Sequence, residues 1–237
     1  MTQRILITGA NRGIGLEMTR QALARGDNVI AACRTPSHAA ALDDLAATHG
    51  AALTIIRIEA RAEASVAAAA ATTGPIDLLV ANAGTMNARG GLSDLGHDED
   101  NIAESLMTNI AGVFFTARHF LAPLKAGADT RAAGIIPRIA VISSQMGSSE
   151  RAGTSAPIYR ATKAAATNLA RSMALELAGD GIAVGAYHPG WVQTDMGGAG
   201  AAITAEVSAA GLLQRFDALT METSGVFETY EGEKLPF

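Results

Sequence analysis

Cysteine, long apolar runs and aromatic side chains are all scarce in this sequence. The single cysteine, Cys33, cannot form an intrachain disulfide, and no Cys/His cluster has the spacing of zinc ligands, so no metal site is expected. The longest stretch free of Asp, Glu, Lys and Arg runs from Gly181 to Thr194 and contains His188 and Pro189. That is too short and too interrupted for a membrane span, so no membrane partner is expected. MTQRILITGA enters a short apolar strand at once and reaches a glycine by Gly9, which is no signal peptide; a cytoplasmic location is the expectation. One Trp, three Tyr and six Phe stand against 50 alanines, a ratio that favours helices packed closely through small side chains.

What remains is globular in composition. With 237 residues, 49% hydrophobic and 17% charged, and no composition break that marks a linker, one domain over residues 1–237 is expected. A formal net charge of −5 argues against a nucleic-acid surface.

Short apolar runs alternate with longer alanine-rich stretches, the rhythm of βαβ units. Strands are predicted at 4–8, 28–33, 53–58, 76–81, 138–143, 182–187 and 226–230. Helices are predicted at 13–25, 36–49, 62–72, 101–124, 157–179 and 201–214. Thr35 before Pro36 reads as an N-cap, and Gly26, Gly50, Gly74 and Gly179 as helix stops. The least ordered loops are expected at 85–98, 127–137 and 197–202. Most strand runs lack polar alternation, as happens when helices cover both faces of a parallel sheet. The expected fold is α/β: a doubly wound Rossmann-type domain of about seven mostly parallel strands.

Directly after the first strand comes Thr8-Gly9-Ala10-Asn11-Arg12-Gly13-Ile14-Gly15, which opens a helix. Glycines there permit a tight turn and a close backbone approach to a pyrophosphate, and the helix N-terminus attracts the negative charge. The pattern resembles the TGxxxGxG motif of the short-chain dehydrogenase/reductase family. The resemblance continues in order through Ala81-Asn82-Ala83-Gly84, Asn109, Ser143-Ser144, Tyr159 with Lys163, and Pro189-Gly190, and so spans nearly the whole chain. The details of 143–147, 188–196 and the ending 232–237 resemble a carbonyl-reductase branch that includes the developmental C-factor proteins.

The second strand ends in Ala32-Cys33-Arg34 with no acid for a ribose 2′-hydroxyl. Arg12 and Arg34 stand at positions that the resemblance associates with a 2′-phosphate, so NADP(H) is the expected cofactor. Gly9, Asn11, Gly13, Ile14 and Gly15 are expected to bind it, together with Glu59 and Ala60 in place of the family's Asp-Val. Ala81-Asn82-Ala83-Gly84 stands where the family has Asn-Asn-Ala-Gly, and Asn82, Ala83 and Gly84 are expected to bind the cofactor as well. Pro189, Gly190, Val192 and Thr194 resemble a clamp on the nicotinamide.

Tyr159 and Lys163 are four residues apart and therefore share a helix face. The charge of Lys163, with that of an oxidised nicotinamide, is expected to lower the phenol's pKa. The resemblance implies that Tyr159 passes a proton to a carbonyl oxygen that Ser144 polarises, and that Lys163 also holds the nicotinamide ribose. It implies a water held by Asn109 in a proton relay. Ser144 is preferred to Ser143 because Ser144-Gln145-Met146-Gly147 aligns with the family's serine-x-x-glycine. Met146, Trp191 and Met196 are the candidate substrate-pocket residues, and His97-Asp98-Glu99-Asp100 is expected to support a helix N-terminus.

The expected activity is NADPH-dependent reduction of a small or medium aldehyde or ketone. A 3-oxoacyl thioester reductase would use the same groups, but should show a basic docking surface. An NADP-binding regulatory protein of C-factor type is the non-enzymatic alternative. By resemblance, the helices of Asn109 and Tyr159 join subunits in a homodimer or tetramer.

Overall fold

The computed structural model describes residues 2–127 and 135–237. Seven parallel strands form one sheet: β1 (Arg4–Thr8), β2 (Asn28–Cys33), β3 (Leu53–Arg57), β4 (Leu78–Ala81), β5 (Arg138–Ile142), β6 (Ala183–His188) and β7 (Phe227–Thr229), in spatial order β3-β2-β1-β4-β5-β6-β7. Strand order reverses between β1 and β4, so the loops leaving their carboxyl ends diverge and open a crevice.

Side-chain alternation along the strands divides the core in two. Ile5, Ile7, Val80, Ala140 and Ile142 face α1 (Gly13–Ala24), α2 (Ala40–His49) and α7 (Ala205–Ala218), packing with Met18, Leu42, Leu212 and Phe216. Leu6, Leu79, Ile139, Val141 and Val184 face the other way, toward Val66 of α3 (Glu63–Thr72), Phe120 of α5 (Gly112–Ala126) and Met173 of α6 (Pro157–Glu176). Both layers use the abundant alanines where helix meets sheet or helix: Ala22 and Ala209 on one side, Ala117, Ala166 and Ala170 on the other are all nearly or fully buried. Their small side chains let backbones approach. Ala161, on the same helix as Tyr159, is instead exposed.

Several local expectations change. The helix predicted over 101–124 is three pieces: α4 (Glu99–Leu106), a π-helical turn (Met107–Ala111) and α5. Asp98 caps α4 by accepting from the Asn101 N–H at 2.8 Å, with Glu99 and Asp100 in the first turn, the electrostatic support expected of this acidic patch. Thr35 makes no side-chain cap; Pro36–His38 form one 3₁₀ turn before α2. The helix carrying Tyr159 ends at Glu176, and its left-handed residue is Gly181 rather than Gly179.

The 85–98 loop has no regular structure, but the Asp94 carboxylate pins it by accepting from the Gly90 and Gly96 N–H groups at 2.7 and 2.9 Å. Residues 197–202 are tied by Trp191 Nε1 to the Gly197 carbonyl and Gln193 Nε2 to that of Ala201. Most of the loop expected at 127–137 lies outside the described residues. Among the described residues no helix is long and apolar enough to cross a membrane, and no group of three or more His, Cys, Asp and Glu could hold a metal ion.

Candidate active site

A cleft of about 640 Å³ opens above the carboxyl ends of the central strands. Its first wall is the turn between β1 and α1, where Gly9 and Gly13 have φ of +66° and +54°, a region that side chains with a Cβ rarely enter. A Cβ on Gly15 would lie 2.3 Å from the Gly9 carbonyl oxygen, so only glycine lets the helix begin this close to the strand end. No side chain caps α1 and no acid lies in its first turn, which leaves the positive end of the helix open toward the cleft.

The second wall is knitted to the first by Thr8 and Asn82. Thr8 Oγ1 accepts from the Asn82 and Ala83 N–H groups, both at 3.0 Å. The Asn82 amide donates to the Thr8 carbonyl at 2.8 Å and the Gly9 carbonyl at 3.3 Å. The Ala81 departure from the family pattern does not loosen this brace, because the bonding amide is that of Asn82.

Of the residues expected to bind a cofactor, Gly9, Asn11, Arg12, Gly13, Ile14, Gly15, Arg34, Glu59, Ala60, Asn82, Ala83, Gly84, Tyr159, Lys163, Pro189 and Thr194 line the cleft. Gly190 and Val192 stand beside it in the loop after β6, where Val192 pairs with Ile203 in an isolated bridge. Met196 lines the cleft. Met146 is half-buried on the Ser144 turn and outside that lining, and Trp191 is 57% exposed with its indole tied to Gly197. The structure adds Cys33, Thr35, His38, Thr85, Glu104, Thr108 and Asp195 to the walls. Cys33, Thr35 and Asp195 adjoin residues already singled out, whereas His38, Thr85, Glu104 and Thr108 belong to none of the quoted motifs and are brought there by the tertiary fold.

At the chemical end, β5 and α6 supply the reactive groups. The Ser143 hydroxyl is committed to α6, bonding the Lys163 carbonyl at 2.9 Å and Thr167 Oγ1 at 2.6 Å. The next residue, Ser144, is the one whose hydroxyl faces the Tyr159 phenol; it also accepts from the Met146 N–H at 3.1 Å. A Cβ on Gly147 would lie 2.6 Å from the Lys163 carbonyl carbon, so glycine lets the Ser144 turn rest on the helix of Tyr159 and Lys163.

Lys163 is buried, its ammonium 5.6 Å from the Tyr159 ring centroid and donating to the Ile142 carbonyl at 2.8 Å. Burial pushes Lys163 down to about 8 and Tyr159 up to about 12, the latter opposed by the Ser144 hydroxyl. The lowered phenol expected from the Tyr-Lys spacing is therefore not what the protein alone produces, because desolvation of the phenolate outweighs the hydrogen bond from Ser144. At neutral pH the phenol keeps its proton.

Asn109 sits within the π turn, and its side chain is fully engaged with protein. Its Oδ1 accepts from the Thr85 N–H at 2.8 Å, and its Nδ2 donates to the Thr85 carbonyl at 2.8 Å and Thr162 Oγ1 at 3.0 Å. These bonds tie the helix of Asn109, the β4 loop and the helix of Tyr159 together. The side chain is thus a brace; a water at this point would have to use backbone groups that the irregular turn releases.

A doubly wound sheet, a glycine turn at the strand reversal and a Ser-Tyr-Lys group at the other end of one cleft define a dinucleotide-dependent oxidoreductase. A family model for the short chain dehydrogenases matches residues 3–202, and the chain belongs to that family. It is 36% identical to the C-signal protein of Myxococcus xanthus over 166 residues, 70% of this chain and 95% of that protein. Among solved structures it resembles an NADPH-bound carbonyl reductase from chicken fatty liver, with a TM-score of 0.90 and 33% identity over 100% of this chain and 99% of that one. The carbonyl reductase Sniffer of D. melanogaster gives 0.89 at 27% identity, with both chains covered in full.

Proposed function

We propose that the protein is an NADPH-dependent reductase of small or medium aldehydes and ketones, carried by one domain spanning residues 1–237. The observation that carries this reading is the pairing of Ser144 with a phenol that burial keeps protonated, at the end of a cleft large enough for a dinucleotide. The uncapped start of α1 and the two rim arginines, Arg12 and Arg34, fit a pyrophosphate and a 2′-phosphate.

When bound, NADPH supplies the hydride. Tyr159 gives its phenolic proton to the carbonyl oxygen as negative charge develops there, and Ser144 holds that oxygen by a hydrogen bond. Lys163, anchored on the Ile142 carbonyl, keeps positive charge near the phenol ring and would hydrogen-bond the nicotinamide ribose of a bound cofactor. Asn109 holds Thr85 and Thr162 so that the β4 loop and the catalytic helix keep their spacing. Met196 borders the substrate side of the cleft; Trp191 and Met146 flank it.

Reduction of 3-oxoacyl thioesters would use the same groups. The formal net charge of −5 gives no general basic attraction for an acidic carrier protein, so free carbonyl compounds are favoured. A purely regulatory dinucleotide-binding role would not require the Ser144, Tyr159 and Lys163 arrangement. The assembly we propose is a homodimer or tetramer joined through the Asn109 and Tyr159 helices. The exposed Leu106, Met107 and Phe114 support it, and a monomer in light scattering at micromolar concentration would count against it. NADPH oxidation, followed by absorbance across a panel of aldehydes, ketones and 3-oxoacyl thioesters, tests the activity. Turnover confined to thioesters would replace the substrate assignment, and no turnover on any would favour the regulatory role.

A further inference from the structure

Each of the two arginines read above as holders of a 2′-phosphate already faces a carboxylate from another wall of the cleft. Arg12, on the glycine turn, meets Asp195 on the loop after β6, Nη1 to Oδ2, at 3.0 Å. Arg34, after β2, meets Glu104 of α4, Nη1 to Oε1, at 4.0 Å. All four residues line the cleft. The two acids are held differently. Asp195 is 79% exposed, free to swing into solvent once Arg12 releases it. Glu104 is fixed by Arg61 Nη1 at 3.2 Å and by the Asn87 amide at 3.0 Å, so it stays in the wall whatever Arg34 does.

From this arrangement we propose that Asp195 and Glu104 are built-in counter-ions that set the affinity and selectivity for a 2′-phosphorylated dinucleotide. The inference rests on the NADP(H) reading above. Discrimination is an exchange: the phosphate takes Arg12 from Asp195, which rotates away, and takes Arg34 in the continued presence of Glu104, which repels it. The two arginines are therefore not the only charges that determine how strongly the 2′-phosphate is held: Asp195 and Glu104, the latter partly neutralised by Arg61, oppose it. A cofactor lacking that phosphate leaves both pairs intact, so the acids lower affinity selectively for the phosphorylated form. Binding stays weak enough for the spent cofactor to leave, a step that limits turnover in many enzymes of this kind.

Because the groups stand at the cleft mouth, each effect is modest and screened by salt. The E104Q variant should tighten NADPH binding by about three- to fivefold, and D195N by about twofold, in the range of exposed ion pairs. NADH affinity should stay unchanged in both, and the gain should shrink at high salt. The dissociation constants are to be measured by fluorescence titration with NADPH and NADH, and by calorimetry with 2′,5′-ADP against 5′-AMP, fragments that never reach Tyr159. Thermal melts confirm that the variants fold; D195A serves as a second test at a position with no packing to lose. Wild-type preference for NADPH, with 2′,5′-ADP bound equally by wild type and both variants, would overturn the counter-ion role and leave the cofactor reading standing. Wild-type preference for NADH would overturn both.

Discussion

Arg12 and Arg34 have side chains 63% and 59% exposed and meet their partners directly at the solvent-exposed mouth, at 3.0 and 4.0 Å, whereas in the same cleft Lys163 is buried and Tyr159 half-buried. The difference teaches where each kind of electrostatics acts. At the mouth, charge is cheap to keep, strength per contact is low, and several contacts must add. At the base, burial alone moves proton affinities by two units or more, so a single group can carry a chemical step. Changes at the base should therefore cost orders of magnitude in rate and, at Tyr159, leave cofactor affinity nearly unchanged, and changes at the mouth should do the reverse on a smaller scale.

The largest expected effect is at the phenol. Tyr159→Phe removes the proton donor and little volume, and kcat should fall by about 100-fold or more, the scale of general acid catalysis. NADPH affinity by fluorescence titration should move by less than about twofold, since the phenolic hydroxyl acts on the carbonyl oxygen of the substrate rather than on the charged groups of the cofactor. Full activity in the variant would remove Tyr159 from the mechanism, and an equal loss of affinity would erase the contrast between the two ends.

Lys163 offers the next largest effect, in stability. Its pKa falls from 10.5 to about 8 on folding, so between pH 8 and 10.5 the unfolded chain holds a proton that the folded one has released, and stability rises with pH across that window. Below pH 8 both states are charged and the burial penalty is fully present, about 3 kcal/mol at 1.36 kcal/mol per unit. Lys163→Met should therefore raise stability near neutral pH by roughly 2 kcal/mol, the remainder being lost with the bond to the Ile142 carbonyl, while abolishing turnover. Denaturant titrations at pH 7 and pH 10 should show that advantage shrinking at the higher pH; an advantage independent of pH would show that the ammonium is not desolvated.

Much of this contrast is legible in the residues. The seven apolar runs became the seven strands because a parallel sheet buried on both faces needs unbroken Val, Ile, Leu and Ala, and the glycine turn is visible because only glycine takes its backbone angles. Ser144 is preferred to Ser143 from its place before Gly147; in the structure the Ser143 hydroxyl is spent on α6 and that of Ser144 faces Tyr159. The π turn at Met107–Ala111 was not legible, since nothing in local propensity distinguishes it from α-helix; it coincides with the long-range bonds from Asn109 to Thr85 and Thr162. Glu104 and Thr85 were silent for the same reason, and Asp195, though inside the 188–196 stretch, gave no sign that it meets Arg12. Each acts on a partner far away in sequence, and the sign of the phenol's shift depends on burial that spacing along a helix does not report.

The smallest effects belong to the mouth, and they test whether its charges are independent. Arg12→Ala and Arg34→Ala should each weaken NADPH binding by about tenfold, the lower end of what a hydrogen bond to a charged group contributes, with kcat for a small ketone at saturating NADPH nearly unchanged. NADH affinity should hold, because neither arginine has a phosphate to lose there. If both guanidiniums grip one phosphate, the double variant should lose less than the product of the single losses, since groups sharing a partner do not act additively. A product close to 100-fold would mean that the two act on separate parts of the cofactor, and a loss of NADH affinity equal to that of NADPH would place them on the shared pyrophosphate instead.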